Sequence, residues 1–356
     1  GNEPRPHVHV LPYGGEFVDK HFPDIGKSNL YRKRSAQGNR DVKRWGVHSG
    51  STVAYTRDRW FVADSWDKTT NASEDDWSDL QRFVEVMHQA EGATYLDEVR
   101  TVAHPEQWLR WFAVMTLLNN SETNLSNGID DDYAMISDEA GRFQLLPHDL
   151  DSLFNLSPQA TLFPMIDGSV GGGEARIPQL VPFFRQPEIL SAYFNELDDL
   201  LATVFSKPVF DRLVTSALAG TSFENRAFNM INSMDQRRDY ALEQLHAPLA
   251  FRESTIPEST IDPFLTVAGN HGFLEGARIT VNGMEATVDG LRGTWQVENV
   301  LLFPGVNTLV LRSFDADGNV TNEMRRQVQL ETNIQPKGLS GELPEDTLLR
   351  AVDGPH

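Results

Sequence analysis

The chain has 356 residues, a formal net charge of −20 and no cysteine. The length predicts two domains, each large enough to bury its own core. The acidic charge argues against binding to nucleic acid or to anionic lipid, which needs a basic surface, and makes divalent cations the more natural partners. The missing cysteines exclude thiolate metal sites, disulfides and cysteine nucleophiles.

No apolar run reaches the roughly 18 residues that a membrane-spanning helix needs, so we expect no membrane insertion. The chain begins GNEPRPHVHV, without an initiator methionine or a signal peptide. We therefore expect a mature or excised piece of a longer polypeptide. Residues 1–25 are predicted to be an extended segment, and the first 70 residues to be rich in loops.

Two helices are predicted next. Trp77, Leu80, Val84 and Met87 recur at spacings of three and four behind an acidic first turn, which indicates an amphipathic helix. The segment from Pro105 to Asn119 is apolar nearly all round, which is typical of a buried helix with proline in its first turn.

Short strands DYAMIS and RFQLLP follow, joined by DEAG in a predicted hairpin. Three helical patterns then run to about His246. Beyond a linker rich in proline, serine and threonine, residues 256–332 alternate apolar and polar side chains between glycine-containing turns, which predicts a small all-β sandwich. Residues 333–356 have the composition of a linker or of the start of a further β module.

Polar and acidic side chains concentrate on both sides of the predicted hairpin. They are Asn119, Asn120, Glu122, Asp130, Asp131, Asp132, His148, Asp149 and Asp151. Because paired strands bring their ends together, the acidic loop before Tyr133 and the acidic exit after Pro147 should meet, with oxygen ligands of the kind Mg²⁺ or Ca²⁺ requires. The alternative is that these residues form turns and caps without any ligand.

The order of a buried helix ending NNSE, the strand DDYAMI and then FQLLPHDLDSLF resembles the spore-coat protein H (CotH) kinase-like family. The segment SNLYRK, from Ser28 to Lys33, is similar to an upstream family segment. The resemblance runs from about Phe17 to the helices before residue 250, and residues 26–250 are the predicted CotH kinase-like lobe. The β module likewise resembles bacterial immunoglobulin-like modules.

The resemblance implies an α+β fold, with a kinase-like, mainly helical lobe that contains a small hairpin, followed by the immunoglobulin-like sandwich. It implies that Asp149 binds the metal, that Asp151 supports it and that Asp132 is a second metal ligand. Ser121 or Glu122 falls at the catalytic position, and Asn120, Asp132 and His148 would face the cofactor. Mg²⁺ (or Ca²⁺) and ATP are the implied cofactors.

Two departures from the family pattern bear on activity. The catalytic position has Glu122 where the family has aspartate, and the extra methylene displaces a carboxylate by about 1 Å, a shift that costs large factors in rate. The family's ATP-binding lobe should precede Ser28, and only 27 residues do so here. The nucleotide lysine is therefore expected to be missing unless another lysine replaces it, the candidates being Lys20, Lys27, Lys33 and Lys43.

The leading hypothesis is an atypical kinase that transfers phosphate from ATP to secreted or surface proteins outside a bacterial cell. Whether this chain is an active enzyme is left open by the two departures. The alternative is a non-catalytic structural or adhesive module of a large extracellular protein, with at most a structural cation. The expected partners are protein substrates or neighbouring domains of the same polypeptide.

Overall fold

A computed structural model describes residues 12–33, 66–121, 123–124, 128–129, 133–162, 180–273, 278–315 and 317–331. The chain divides into two compact units. The first comprises Gly1–Leu249 together with Asn270–Glu275 and Val288–Thr294, and the second comprises Ala250–Gly269, Gly276–Thr287 and Trp295–His356. The domain bounds expected from the sequence stay predictions.

The α-helices of the described residues all lie in the first unit. They are α1 Gly15–His21, α2 Ser78–Gln89, α3 Tyr95–Arg100, α4 Pro105–Leu117, α5 Leu180–Phe184, α6 Pro187–Ala202, α7 Lys207–Leu218 and α8 Ala227–Leu245. None of the helices in this part of the chain is long and apolar enough to cross a membrane.

The first unit also contains a four-stranded antiparallel sheet. Its strands are β1 Leu30–Lys33, β2 Trp66–Lys68, β5 Tyr133–Ser137 and β6 Phe143–Pro147, in the order β2-β1-β5-β6. Between α4 and β5 lies a two-stranded pair, β3 Thr123–Asn124 and β4 Gly128–Ile129. The predicted hairpin is β5 and β6, and its turn closes through Gly141, whose φ of 77° favours glycine.

Helix α4 is the buried centre of this unit, as its nearly continuous apolar sequence predicts. Trp108 and Phe112 are 0% exposed. The indole Nε1 of Trp108 donates to the carbonyl of Phe143 at 2.9 Å, and the amide of Gln107 exchanges two hydrogen bonds of 2.8 Å with the backbone of Leu145. Helix α4 and strand β6, which lead into the two halves of the predicted site, are thus fixed to each other.

The expectation of extended structure before residue 25 is wrong for α1. This helix has only seven residues, so its sequence GEFVDKH is too short to show a helical period. It forms because Val18 packs into a small apolar cluster with residues of the sheet, among them Leu30, Ile136 and Leu146. Tertiary burial rather than local propensity decides its structure.

The second unit consists mainly of strands. Its region of the chain contains β7 Ala250–Phe251, β8 Ser259–Thr260, β9 Phe264–Asn270, β10 Arg278–Val281, β11 Met284–Glu285, β12 Thr287–Asp289, β13 Thr294–Leu301, β14 Gly305–Phe314 and β15 Val320–Leu330. They form two sheets with the orders β11-β10-β14-β15-β8 and β12-β13-β9-β7.

Apolar side chains from both sheets form the core of this region. Trp295 and Val267 are almost fully buried on one sheet, and Leu309 and Leu311 on the other. The predicted α+β fold class is confirmed, and the two sheets are compatible with the predicted sandwich. The immunoglobulin-like relationship stays a prediction.

Candidate functional site

The candidate site lies where the end of α4 meets the exit from β6. Strands β5 and β6 pair in the register that sets Tyr133 opposite Pro147, so the open end of the hairpin is at this pair. The segment after α4 returns to the same place. Its backbone bonds to the segment that follows β6, and these two segments carry most of the predicted site residues.

Three backbone hydrogen bonds join the two segments. The N–H of Ser121 donates to the carbonyl of Ser152 at 3.1 Å, the N–H of Phe154 to that of Leu118 at 2.8 Å, and the N–H of Asn155 to that of Asn119 at 3.2 Å. These bonds join residues that are 31 to 36 positions apart in the sequence, and they do so at the predicted site. We refer to these bonds as the site ladder.

Side chains reinforce the site ladder. The buried hydroxyl of Ser152 donates to Oδ1 of Asn120 at 2.8 Å, and Asn120 is 0% exposed. The amide Nδ2 of Asn155 donates to the hydroxyl of Ser121 at 3.2 Å. Asn120 is thus a buried anchor, whereas Ser121 keeps its hydroxyl at the surface side of the ladder.

Two residues of this region have left-handed backbones. Asp149 has φ 49° and ψ 61°, and Asn119 has φ 49°. Asparagine and aspartate are the non-glycine residues that tolerate this conformation best. The turn at Asp149 starts a short 3₁₀ helix, Leu150–Ser152, which buries Ser152 beside Asn120 and leaves Asp149 and Asp151 exposed.

The carboxylates of Asp149 and Asp151 form no hydrogen bond or ion pair with any other described residue. Exposed carboxylates of this kind suit Mg²⁺, which keeps several waters and is held by one or two carboxylates together with phosphate oxygens. Within the described ranges, no group of three or more histidine, aspartate or glutamate side chains could hold a metal. Asp132, the predicted partner ligand, lies outside those ranges, as does Glu122, so both assignments stay predictions.

His148 lies beside Tyr13 from the start of the described chain. Their ring centroids are 5.7 Å apart, and the hydroxyl of Tyr13 donates to the carbonyl of Pro147. Burial raises the pKa of the Tyr13 phenol to about 12, so it stays protonated and can donate. The role of His148 toward a cofactor stays a prediction, while its packing against Tyr13 holds one side of the exit from β6.

A buried arginine that sequence reasoning missed holds the chain on both sides of the site by hydrogen bonds. Arg237 of α8 is 1% exposed, and its guanidinium donates to the carbonyls of Thr116 at 3.0 Å, Pro158 at 3.0 Å and Ala160. Burial lowers its pKa to about 10, which still leaves it charged at neutral pH. A cation at the carbonyl end of α4 is favoured by the helix dipole.

Tyr193 of α6 joins the same two segments. Its buried hydroxyl donates to the carbonyl of Leu162 at 2.9 Å and lies 3.1 Å from the hydroxyl of Thr116. Burial raises the pKa of this phenol, so it too remains protonated. Together Arg237 and Tyr193 connect the last turn of α4 to residues 158–162, and we call the two side chains the buried clamp.

The sequence gives little indication of the residues that support the site. Arg237 is one of two adjacent arginines in a helix, where both would ordinarily be read as solvated, and Tyr193 fits a plain apolar stripe. Ser152 and Asn155 stand in the motif DLDSLFN without a spacing that marks them as partners of Asn120 and Ser121.

A family model described as CotH kinase protein matches residues 30–242. The match covers more than half of the chain, and it contains both halves of the site ladder and the buried clamp. The chain belongs to the CotH kinase protein family. A search of curated proteins found no match.

Proposed function

We propose that this chain carries the metal-binding lobe of an atypical kinase, which transfers phosphate from ATP to secreted or surface proteins outside a bacterial cell. Membership of a kinase-like family suggests ATP and a divalent metal as cofactors. The observation that carries the proposal is the site ladder, because it holds Asn120 and Ser121 beside the turn that presents Asp149 and Asp151.

The roles follow from what phosphoryl transfer requires. Catalysis in this reaction class comes from positioning the nucleophile and neutralising phosphate charge with a metal. Asp149, with Asp151 and Asp132, would hold Mg²⁺ (or Ca²⁺), and the metal would neutralise charge on the ATP phosphates. Ser121 or Glu122 would orient the hydroxyl of the protein substrate.

Hydrogen bonds within the chain orient the groups of this site. The buried hydrogen bond between Ser152 and Asn120 joins the turn that carries Asp149 to the segment after α4, so the position of Asp149 is set relative to Asn120 and Ser121. Preorganised groups of this kind lower the barrier because they need no rearrangement during the reaction. Asn120, His148 and Asp132 remain the proposed contacts of the cofactor.

A second candidate function is a non-catalytic module of a large extracellular protein, with protein neighbours and at most a structural cation. The observation that favours it is Glu122 at the position where the family has aspartate. In that case the chain would keep the family's fold, and the acidic residues after β6 would bind a cation without transferring phosphate.

The test is a transfer assay with radiolabelled ATP and Mg²⁺, using the chain itself and a bacterial surface-protein extract as acceptors. We expect label on protein, and we expect Asp149→Ala to lower it by about a hundredfold or more, because the metal ligand is lost. The matched control is Asp97→Ala, at an exposed aspartate in the first turn of α3.

A separate binding measurement distinguishes the two candidates. Mn²⁺ titration followed by electron paramagnetic resonance should show binding that Asp149→Ala weakens and Asp97→Ala does not. Metal binding without any phosphate transfer would support the non-catalytic module. Transfer that is unchanged in Asp149→Ala would contradict the kinase proposal.

A further inference from the structure

Seven large apolar side chains among the described residues of the second unit are exposed to solvent, and five of them come to one end of it. Ile261 is 71% exposed, Phe264 54%, Leu301 49%, Phe303 67% and Val306 67%. Single exposed apolar side chains are ordinary on a folded domain, but several of them gathered at one place mark a surface where something binds.

Strand register brings these side chains to one end of the unit. The N–H of Leu302 donates to the carbonyl of Pro263 at 2.8 Å, which joins the turn after β13 to the start of β9. In the other sheet, Val306 pairs with Gln329, and Gln329 pairs with Ser259 just before Ile261. We call Ile261, Phe264, Leu301, Phe303 and Val306 the apolar rim.

The last described residue, Glu331, lies at the same end of the second unit. The N–H of Glu331 donates to the carbonyl of Thr260 at 2.8 Å, beside Ile261. The 25 residues that follow, 332–356, therefore start next to the apolar rim. Their sequence contains several well-spaced apolar side chains, namely Leu339, Leu343, Leu348, Leu349 and Val352.

We propose that the apolar rim is the binding surface for residues 339–352 of this same chain. An extended chain spans about 3.3 Å per residue, so the eight residues from Glu331 to Leu339 can reach every part of the rim. The segment is tethered at the rim, which gives it an effective concentration in the millimolar range without any need for a strong contact.

The occupant is thus intramolecular. The acidic side chains of the segment, Glu342, Glu345 and Asp346, would remain in water while its leucines cover the rim. A second copy of the chain or another protein could reach the same surface only by displacing the tethered segment.

Disulfide trapping tests the proposal cleanly, because the natural chain has no cysteine. Val306→Cys is combined in turn with Leu343→Cys, Leu348→Cys and Leu349→Cys in the full chain, and each double variant is treated with diamide at low protein concentration. We expect at least one pair to form an intramolecular disulfide at least roughly tenfold faster than its control, since bridging requires close approach of the two Cβ atoms.

In the matched control, the first cysteine of every pair is placed at Val320 instead of Val306. Val320 is 51% exposed and pairs with Phe314, at the far end of β14 from Val306. The tether and the added thiols are then similar, so only the place on the unit differs.

Hydrogen exchange on the unmodified chain provides a second measurement that needs no variant. Amides of residues 343–352 should exchange at least roughly tenfold more slowly than a free peptide of that sequence, and Phe303→Ser should remove the protection while leaving β15 protected. Exchange at the rate of the free peptide, or disulfides that form only between chains, would overturn the proposal.

Discussion

Asp149 combines a proposed chemical role with a backbone that few residue types adopt. Its left-handed conformation turns the chain out of β6 and buries Ser152, while its own carboxylate stays exposed. Aspartate tolerates this conformation better than most residues, and glycine tolerates it best. Stability and function should therefore respond differently to substitutions at this position.

Three substitutions separate the two contributions. We expect Asp149→Gly to change the free energy of unfolding by less than about 1 kcal/mol, or to raise it, because the left-handed strain is relieved. Asp149→Ala should cost about 1 kcal/mol, since alanine disfavours this region. Asp149→Asn should lie near the wild type. Urea denaturation measures all three, and equal effects of alanine and glycine would contradict the backbone argument.

Ser152 makes a second testable contribution at the residue scale. Its hydroxyl donates to Oδ1 of the fully buried Asn120. We expect Ser152→Ala to cost about 1–3 kcal/mol, because a buried acceptor loses this donor. Ser216→Ala, at an exposed serine of α7, is the matched control and should stay within about 0.5 kcal/mol. Urea denaturation of both variants checks the difference.

At the scale of elements, the buried clamp connects three helices to the site. Arg237 of α8 and Tyr193 of α6 both reach the last turn of α4 and the chain between Pro158 and Leu162. Helices α6 and α8, which lie outside the site ladder, therefore help to fix the positions of the two segments that form it. A change in the clamp should loosen the site even though no clamp residue reaches its surface.

We expect Arg237→Met to lower the free energy of unfolding by about 2–4 kcal/mol, because the carbonyls of Thr116, Pro158 and Ala160 lose a charged donor. Arg237→Lys keeps the charge but lacks the planar fork, so its cost should be intermediate. Arg212→Met, at an exposed arginine of α7, is the control. Hydrogen exchange should show faster opening of residues 150–162 in Arg237→Met, and unchanged exchange there would contradict the clamp.

The turn between β5 and β6 predicts a specific pH dependence. Asp138 is partly buried, which by itself would raise its pKa, but hydrogen bonds from the backbone and guanidinium of Arg142 and from His104 hold the pKa below the usual 3.8. A carboxyl with a depressed folded pKa stabilises the fold above its unfolded pKa, and this stabilisation is lost as the pH falls through the folded value.

Asp138→Asn should therefore lower stability at pH 7, and the difference from the wild type should shrink as the pH falls below about 3.8, near the unfolded pKa. Urea midpoints at pH 7 and at pH 3 measure this change. Glu139→Gln, on the exposed side of the same turn, should stay within about 0.5 kcal/mol at pH 7. A difference for Asp138→Asn that does not depend on pH would contradict the ion-pair argument.

Elements with a strong period were predictable from the sequence, and the site was predictable only in part. The apolar run of α4 and the alternating strands of the hairpin carry their own structural signal, and α4 begins at Pro105 as expected. Asn120, Ser121 and Asp149 were proposed by resemblance to a family, and their roles stay predictions. The clamp was not found, because a buried arginine is specified by carbonyls more than 70 residues away and by no local pattern.

At the scale of the whole molecule, the first unit is not continuous in sequence. Asn270–Glu275 and Val288–Thr294 belong to it although the family match ends at residue 242. Within this unit the ring of Phe273 stacks on Phe194 of α6, with centroids 4.3 Å apart and planes inclined by 22°. Part of the packing around α6 is therefore supplied by residues outside the family region.

We expect Phe273→Ala to cost about 2–4 kcal/mol, because a packed aromatic ring is removed from the edge of the core. The matched control is Phe228→Ala in α8, since Phe228 is 74% exposed and should tolerate the change within about 0.5 kcal/mol. Thermal unfolding followed by the helical circular dichroism signal compares the two. Equal melting temperatures would show that Phe273 contributes nothing to the first unit.

The discontinuous first unit also sets an order of events during synthesis. The ribosome releases the chain from its amino terminus, and domains tend to fold as their last residues emerge. The unit that holds the candidate site lacks its last residues until Thr294 has left the exit tunnel, when the first two segments of the second unit, Ala250–Gly269 and Gly276–Thr287, have already been made. The helical lobe should therefore mature late, and a nascent chain stalled at residue 250 should be more sensitive to protease than one stalled beyond residue 330.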